Sequence, residues 1–485
     1  MSTKLFRIFL FLFCLSFPLF AEQEQALVPE NEPTLMPRAY NHKKRLPSTY
    51  AEITSVIKDQ KFPLLKKIIK KQMGSNFSIY ELKDLAEKEN CKPVSDSMAA
   101  ANAMHKLDCG LSKKKLAQLA LFLETDFAKY IKRGKHYLSR EKLKIPCPVQ
   151  YDPETGRKYI HLDGEIGKGS KKRVSKSILY DRVNPELVAR CMQSRRKAVS
   201  RERRYTKLAQ GPGVVVARGY TTHRSHGKNF YTIFCNLYKP GSLKTFFEEK
   251  PLKLTFREKL GICLNIARGL ERLHVKNVVH RDLGTGNYLI NVDFDWNDRH
   301  KPKSKRARKI DVVLADLGSA YHIKKVAGER PQGHTIFTGP EGVYRDSMKG
   351  KDYLGTDIFA VGSMFYRILY NKTPGWQKVN YIKKAKGSKN VRYHKLFKAV
   401  AKGSDKRRSE LSKKKKTGKE LSARELFERL ILQMCHKRPE LRPNAVRVRE
   451  LLENIEAKLN GSRTSDAKKH SSKKSSSKKS STKKS

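Results

Sequence analysis

The sequence predicts an α+β protein, in which a helical N-terminal region precedes a part that mixes short strands with helices. Apolar residues recur at helical spacing through residues 40–145, for instance at Leu116 and Leu119. Two short apolar stretches, Tyr288–Val292 and Ile310–Ala315, are typical of strands instead. Both patterns require a buried face, so we expect a sizeable hydrophobic core in part of the chain.

The composition limits the classes of protein to which the chain can belong. Its 485 residues suggest roughly two or three domains. The hydrophobic fraction of 38% is below the globular average of about 45–50% but too high for a chain that is disordered throughout. No apolar run reaches the roughly 18 residues that span a bilayer, and eight cysteines are too few for a disulfide scaffold. A polytopic membrane protein, a collagen-like fibre and a disulfide-rich toxin are therefore excluded.

Basic residues dominate the charge of the chain. Lys plus Arg number 104 and Asp plus Glu number 47, which gives a formal net charge of +57. Such a surface attracts polyanions. Residues 461–485 are almost entirely Ser and Lys, so they cannot bury apolar area, and we expect a disordered tail. The tail is either a solubility device or an arm that contacts a polyanion, nucleic acid or an anionic membrane.

The N-terminus has the pattern of an export signal. Lys4 and Arg7 form a basic start, Ile8–Phe20 is almost continuously apolar, and Ala21 offers a small residue for cleavage. We interpret residues 1–21 as a signal peptide, with a buried N-terminal helix as the alternative. An exported or secreted protein is expected.

The next part of the chain contains no chemical motif. Residues 22–45 include several prolines and are interpreted as a linker. Residues 46–150 carry the helical periodicity and are interpreted as a helical accessory region that packs on the next part of the chain.

The cysteines predict free thiols rather than bridges. Removal of the signal peptide with Cys14 leaves an odd number of cysteines without a repeated spacing, so no disulfide-linked partner is expected. The remaining cysteines are Cys91, Cys109, Cys147, Cys191, Cys235, Cys263 and Cys435.

The strongest motif is the octapeptide His-Arg-Asp-Leu-Gly-Thr-Gly-Asn at residues 280–287. It resembles the catalytic loop H-R-D-L-x-x-x-N of eukaryotic-type protein kinases. The resemblance implies that Asp282 accepts the proton of a substrate hydroxyl and that Asn287 binds Mg²⁺. Asp316 begins an Asp-Leu-Gly tripeptide that resembles the magnesium-binding D-F-G motif, with Leu in place of Phe. Asp316 is therefore the second implied metal ligand.

Later motifs resemble the same family in the same order. A Gly-Pro-Glu tripeptide ending at Glu341 resembles the A-P-E that closes the kinase activation segment, and residues 357–362 resemble the D-x-W-x-x-G of a central helix. Arg442 resembles the late arginine that pairs with the A-P-E glutamate. We expect Glu341 and Arg442 to form a buried ion pair.

Upstream, residues 166–174 resemble the Gly-rich loop G-x-G-x-x-G-x-V that covers the phosphates of ATP. Lys172 replaces the third glycine. Val188-Ala189 resembles the start of the V-A-I-K strand, and Glu202 resembles the helix glutamate that pairs with the phosphate-binding lysine. The resemblance assigns to the nucleotide site Ile166, Gly167, Gly169, Lys172, Val174, Ala189 and Glu202, together with the hinge residues Leu237 and Tyr238.

The lysine that the family carries on this strand is missing, and Cys191 takes its place. Because side chains alternate along a strand, Cys191 faces the same side as Ala189, and Arg190 points away. With-no-lysine kinases carry a Cys at this strand position and a Lys at the third glycine of the loop. The resemblance thus implies that Lys172 is the catalytic, phosphate-binding lysine. The alternative is that Lys172 is one of many surface lysines and the site is degenerate.

The resemblance covers residues 160–455 and implies the bilobal protein kinase fold, with a β-rich N-lobe, a helical C-lobe and ATP between them. It implies transfer of the ATP γ-phosphate to hydroxyls of a protein substrate with Mg²⁺ as cofactor, most readily to Ser or Thr. The alternatives are an inactive pseudokinase scaffold that binds partners or polyanions through basic surfaces, and a nucleic-acid-binding protein.

A signal peptide on a kinase raises the question of where ATP is supplied. Unpaired cysteines disfavour an oxidising extracellular site of action. The protein is expected either to work in a secretory lumen that is supplied with ATP or to be a bacterial effector that is exported and acts inside a host cell, and the unpaired cysteines favour the second.

Overall fold

The structure, a computed structural model, confirms the predicted class. N-terminal helices precede a β-rich lobe, which is followed by a mainly helical lobe. The residues that the structure describes form one compact unit. The structure describes residues 48–476 apart from these gaps: 60–62, 75, 88–90, 169–171, 226, 249–252, 295–307, 327–349, 373–406, 408, 415–416, 419 and 437.

The N-terminal helices pack through their apolar sides. Leu116 and Leu119 are fully buried, as the helical spacing predicts. Ser112 caps its helix by accepting a hydrogen bond from the Lys115 amide, which satisfies one free donor of the first turn. The helices are α1 (Ser48–Lys58), α2 (Pro63–Met73), α3 (Ile79–Glu87), α4 (Lys92–His105), α5 (Lys113–Thr125), α6 (Phe127–Lys132) and α7 (Arg140–Leu143).

A seven-stranded sheet forms most of the β-rich lobe. Its order is β1-β2-β3-β4-β5-β7-β6, and all neighbouring strands are antiparallel. The first two strands fall inside residues 46–150, so that region is not wholly helical; strands of two and three residues are too short to show alternation in the sequence. The strands are β1 (Tyr137–Leu138), β2 (Val149–Tyr151), β3 (Lys158–Lys168), β4 (Arg173–Tyr180), β5 (Glu186–Gln193), β6 (Ala217–Ser225) and β7 (Lys228–Asn236).

The accessory helices and the sheet share one hydrophobic core. Ile160 on β3 and Ile178 on β4 belong to the same buried cluster as the residues of α1–α5. At the rim of this contact the Tyr180 hydroxyl donates to the Glu124 carboxylate at 2.5 Å, and Arg182 binds the same carboxylate at 2.8 Å. The helical region is therefore part of the β-rich lobe rather than a separate domain.

The remaining elements form the rest of the kinase-like part. The helical lobe has a large core to which α10, α12 and the last two helices contribute. Thr255 and Glu258 form a capping box that fixes the start of α10. These elements are helices α8 (Arg196–Leu208), α9 (Leu243–Glu248), α10 (Phe256–His274), α11 (Ile323–Val326), α12 (Gly350–Tyr370), α13 (Ala423–Met434) and α14 (Ala445–Ser476), and strands β8 (Pro240–Ser242), β9 (Val278–Val279), β10 (Tyr288–Phe294), β11 (Arg308–Leu314) and β12 (Tyr321–His322).

The last helix extends further than the sequence predicts. Disorder is expected for residues 461–485, but α14 continues to Ser476. Once a helix is nucleated by packing, each further residue adds a hydrogen bond, and Lys and Ser each disfavour the helix by less than about 0.7 kcal/mol. The composition of residues 461–485 correctly indicates that the segment cannot form a hydrophobic core. It does not reveal that the preceding helix continues into the segment.

Several predicted features lie outside the described residues. They include the signal peptide 1–21, the linker 22–45, Gly169 of the Gly-rich loop, Glu341, and the end of the tail at 477–485. No helix among the described residues is long and apolar enough to cross a membrane.

Candidate active site

A pair of antiparallel strands brings two of the predicted site residues together. β10 and β11 pair with Tyr288 opposite Leu314. Asn287 immediately precedes β10 and Asp316 closely follows β11, so both residues leave the pair at the same end. The Ala315 amide donates to the Asn287 carbonyl at 2.8 Å, which closes this end of the pair.

The backbone of the predicted catalytic loop is held by Asp357. This carboxylate, on α12, is 2% exposed and accepts hydrogen bonds from the amides of His280 at 2.7 Å and Arg281 at 3.1 Å. The His280 Nε2 lies 3.2 Å from the Ala315 carbonyl and so connects the loop to the end of β11. The position of Asp282 is therefore set by buried contacts on both sides.

Asn287 is oriented so that its amide oxygen is available for a ligand. Its Nδ2 donates to the Asp282 carbonyl at 2.6 Å, which uses the nitrogen side of the amide. Asp282 itself is partly exposed, as a residue that meets a substrate has to be.

Lys172 lies between two carboxylates. Its Nζ is 2.9 Å from both oxygens of Glu202 on α8 and 3.0 Å from Oδ1 of Asp316. The lysine is 15% exposed and the glutamate 8%, whereas the Asp316 side chain is 42% exposed. The ion pair thus has a buried side at Glu202 and an open side at Asp316.

Electrostatics keep this group charged. Burial alone would lower the pKa of Lys172, but Glu202 and Asp316 outweigh it and raise the pKa well above its usual value. Burial acts to raise the pKa of Asp316, but the nearby Lys172 ammonium lowers it overall. Lys172 is a cation and Asp316 an anion at neutral pH.

Asp316 and Asn287 fit a magnesium ion. A carboxylate and an amide oxygen are hard ligands, and Mg²⁺ usually takes one or two carboxylates together with substrate phosphates and water. Among the described residues, no three His, Cys, Asp or Glu side chains cluster as a metal site. A site completed by phosphate oxygens needs no such cluster.

Strand β5 separates Cys191 from Arg190 as alternation requires. Cys191 faces the cleft with Val174 and Leu237, in the apolar cluster below the Gly-rich loop. Arg190 lies on the opposite face, where its Nη2 is 3.3 Å from the Met192 sulfur. The cation beside Glu202 and Asp316 is therefore Lys172, which comes from the loop.

An apolar cluster between the lobes provides a surface for a flat ring. It contains four of the residues assigned to the nucleotide from the sequence, and Gly167 lies opposite Val174 on the neighbouring strand. Ile166 is 48% exposed and lies outside the cluster, so its assignment stays a prediction. The cluster comprises Ala189, Val215, Cys235 and Val313, with Val174, Cys191, Leu237, Tyr238, Leu289 and Ala315 packed against it.

The structure adds contacts that the sequence did not indicate. The Arg201 Nε donates to the Gly318 carbonyl at 2.9 Å, and its guanidinium stacks over the Tyr321 ring at 4.6 Å. The guanidinium of Arg281 lies 4.8 Å from the same ring. These contacts join α8 to the segment after Asp316 and so position Glu202. In the sequence, Arg201 and Arg281 are marked only by their position next to the motif residues Glu202 and Asp282.

Arg442 was expected to pair with Glu341, which the structure does not describe. Arg442 is 7% exposed, and its Nη1 donates to the Gly355 carbonyl while Nε donates to the His436 carbonyl, both at 2.8 Å. Its guanidinium also lies 4.9 Å from the Phe359 ring. Arg442 thus ties α12 to the segment before α14, and the ion pair stays a prediction.

The bilobal fold and the residues gathered in its cleft define a phosphotransferase of the kinase type, and comparison with known proteins agrees. The family pattern described as "Protein kinase domain" matches residues 160–453, so the chain belongs to the protein kinase family.

Individual relatives are distant and longer. The chain is 25% identical over 220 residues to a probable serine/threonine-protein kinase of Dictyostelium discoideum, a match that covers 44% of this chain and 15% of that protein. It is 29% identical over 148 residues to the probable serine/threonine-protein kinase gdt4 of the same organism, 30% of this chain and 8% of the relative. It is 27% identical over 132 residues to serine/threonine-protein kinase 40 of Homo sapiens, 27% of this chain and 26% of the relative. The chain thus spans well under a third of the length of these relatives.

Proposed function

We propose that the protein is an active Mg·ATP-dependent protein kinase that phosphorylates Ser or Thr residues of protein substrates. The observation that carries the proposal is the contact of the Lys172 Nζ with Glu202 at 2.9 Å and with Asp316 at 3.0 Å. This contact supports a phosphate-binding role for Lys172 and a metal-binding role for Asp316 in a family member that lacks the usual strand lysine. Kinase relatives named as serine/threonine kinases support the residue class.

Each polar group in the cleft has a separate task in this proposal. Lys172, oriented by Glu202, binds phosphate oxygens, and Asp282 accepts the proton of the substrate hydroxyl. Asp316 and Asn287 would hold Mg²⁺, which when bound would offset the phosphate charge and help to align the transferred group. The apolar cluster around Ala189 and Leu237 excludes water from the adenine side.

The test compares the wild-type chain with Asp282→Asn, using labelled ATP, Mg²⁺ and a generic protein substrate. An active kinase labels the substrate, and the variant loses this labelling while its far-UV circular dichroism is unchanged. Acid hydrolysis of the product then distinguishes phosphoserine and phosphothreonine from phosphotyrosine. A wild-type chain that folds but neither binds nor turns over ATP would establish the pseudokinase alternative.

We also propose that the Lys/Ser-rich segment 461–485 contacts polyanions. Its lysines and the net charge of +57 support electrostatic binding, which releases counterions and weakens with salt. Deleting 461–485 should flatten the salt dependence of binding to anionic vesicles or nucleic acid and leave activity on a short peptide unchanged. An unaltered salt slope would leave the segment as a solubility device.

We propose that the protein is exported as a bacterial effector. The signal-like pattern of residues 1–21 and the free cysteine thiols support this proposal. The cysteines that the structure describes are all free, which suits a reducing place of action. Fractionation of the producing cells provides the test. Recovery of the full-length chain in their cytoplasm alone would contradict export.

A further inference from the structure

The sheet of the β-rich lobe curls until its two edge strands meet. Tyr137 on β1 stacks on His223 on β6 with ring centroids 4.4 Å apart, although β1 and β6 lie at opposite ends of the sheet. The Gln150 Nε2 on β2 lies 3.4 Å from the His223 Nδ1. One face of the sheet is thereby enclosed, and it is the face opposite to the one that packs on α1–α5.

The enclosed face is apolar at one end and polar at the other. The apolar end holds Tyr159 and Phe234, whose rings stack 3.6 Å apart. At the polar end, buried atoms without a hydrogen-bond partner among the described residues are His161 Nε2, Ser177 Oγ, Arg190 Nε, Thr221 Oγ1 and Thr232 Oγ1. Buried polar groups without partners are rare in native proteins and each costs free energy.

These groups come from neighbouring strands and share one face. His161 lies opposite Ser177, and Thr232 lies opposite Thr221. Side chains directly opposite each other have Cβ atoms about 4.5–5.5 Å apart. Arg190, opposite Phe234, lies on the strand between them. The unpartnered atoms therefore belong to one face of neighbouring strands rather than to separate parts of the lobe.

The charge of this region is not balanced within the described part of the chain. Arg190 has a thioether contact with Met192 but no carboxylate partner there. Burial, and then the positive charge of Arg190, lower the pKa of His161 and of His223, so neither imidazole is charged at neutral pH. One half-buried guanidinium thus remains among neutral donors, with its Nε fully buried and without a hydrogen-bond partner, and a counter-charge would stabilise it.

We propose that the polar end of the enclosed face binds a small monovalent anion, of the size and charge of a halide, held by Arg190, Thr232 and His161. A single positive charge matches a single negative one. Hydroxyl, guanidinium and imidazole groups can all donate to it, and an anion accepts from several donors at once. The site lies on the face of β5 opposite to Cys191, so it does not depend on nucleotide or on the proposed kinase activity.

The experiment measures thermal unfolding of the full chain in potassium bromide and in potassium gluconate at equal ionic strength. Bromide that binds only the folded state should raise the Tm, by on the order of 2–4 °C at saturation. Arg190→Met should abolish the difference between the two salts. Arg224→Met, which removes one exposed charge from the same sheet, should retain it.

Two further measurements keep the proposal refutable if a single variant folds poorly. Thr232→Val removes one hydroxyl at nearly constant volume and should weaken bromide binding about tenfold. Crystals soaked in bromide should show an anomalous peak within hydrogen-bond distance of the Arg190 Nε. Equal bromide effects in Arg190→Met and Arg224→Met, or a crystal with water alone at this position, would overturn the proposal.

Discussion

Replacement of Lys172 by Met is the most direct perturbation of the proposed mechanism. Met keeps the length of the side chain and removes the ammonium, which lies 2.9 Å from Glu202 and 3.0 Å from Asp316. Cys191 cannot supply the missing charge, and Arg190 faces away from the cleft. In the variant, the ATP phosphates therefore lose the Lys172 ammonium, the cation that the structure places beside Asp316.

Coulomb's law gives the expected size of the loss. The Lys172 ammonium and one phosphate charge about 4 Å away would interact by about 4 kcal/mol at an effective dielectric constant near 20. About 1.4 kcal/mol corresponds to a tenfold change in rate, so the upper limit is about a 10³-fold loss of kcat/KM. Because Glu202 and Asp316 share the ammonium with the phosphates, we expect a loss of about 10²–10³-fold.

Stability changes in the same variant, and the assay must separate the two effects. Removing one partner of a buried ion pair costs about 3–5 kcal/mol. Burial already raises the pKa of Glu202, so protonation of this carboxyl should reduce the loss of stability. Unfolding in urea, measured at the temperature of the kcat/KM assay, shows whether the variant is fully folded under the assay conditions.

Arg173→Met is the matched control, because Arg173 is the next residue and its side chain is exposed. It should change kcat/KM by less than about threefold. A Lys172→Met variant that is folded and retains turnover within the same range as the control would refute the assignment of Lys172. The phosphate-binding cation would then have to come from another element.

Three further outcomes are expected. Asp316→Asn should abolish phosphotransfer because it removes a metal-binding carboxylate, and it should leave the protein folded because this side chain is 42% exposed. An Asp316→Asn variant that still transfers labelled phosphate from ATP would contradict the metal role. Leu119→Ala, at a fully buried site, should lower the free energy of unfolding by about 2–5 kcal/mol and shift one common transition in urea, whereas two separate transitions would contradict the shared core. Burial lowers the pKa of His223 from 6.5 to about 4, so the unfolded state binds the proton first and stability should fall as pH decreases from 6.5 to 4. His223→Phe should flatten that part of a pH series of urea unfolding curves, and an unchanged slope would contradict it.

The sequence predicts those parts of the site whose residues are close together in the chain or lie on one strand. Asp282 and Asn287 share one loop, and Asp316 follows a recognisable strand, so their identity and spacing indicate the chemistry. Strand alternation also separates Cys191 from Arg190 without a structure. These predictions concern residues that are close in the chain or on one regular element.

Contacts between distant elements could not be predicted in this way. Arg201 and Tyr321 are 120 positions apart, and neither belongs to a motif. The contact between Tyr137 and His223 depends on the curl of the whole sheet. The two residues of β1 carry no periodicity of their own, so its addition to the sheet follows only from tertiary structure.

The core shared by the accessory helices and the sheet means that the unit of homology and the unit of folding differ. The kinase pattern begins at residue 160, inside β3, and leaves out β1, β2 and every helix before them. A gene fragment cut at this boundary would expose Ile160 and Ile178 to water. Recombination or truncation at the boundary of the homologous segment would therefore break the hydrophobic core, and the kinase segment can be exchanged only together with its N-terminal extension.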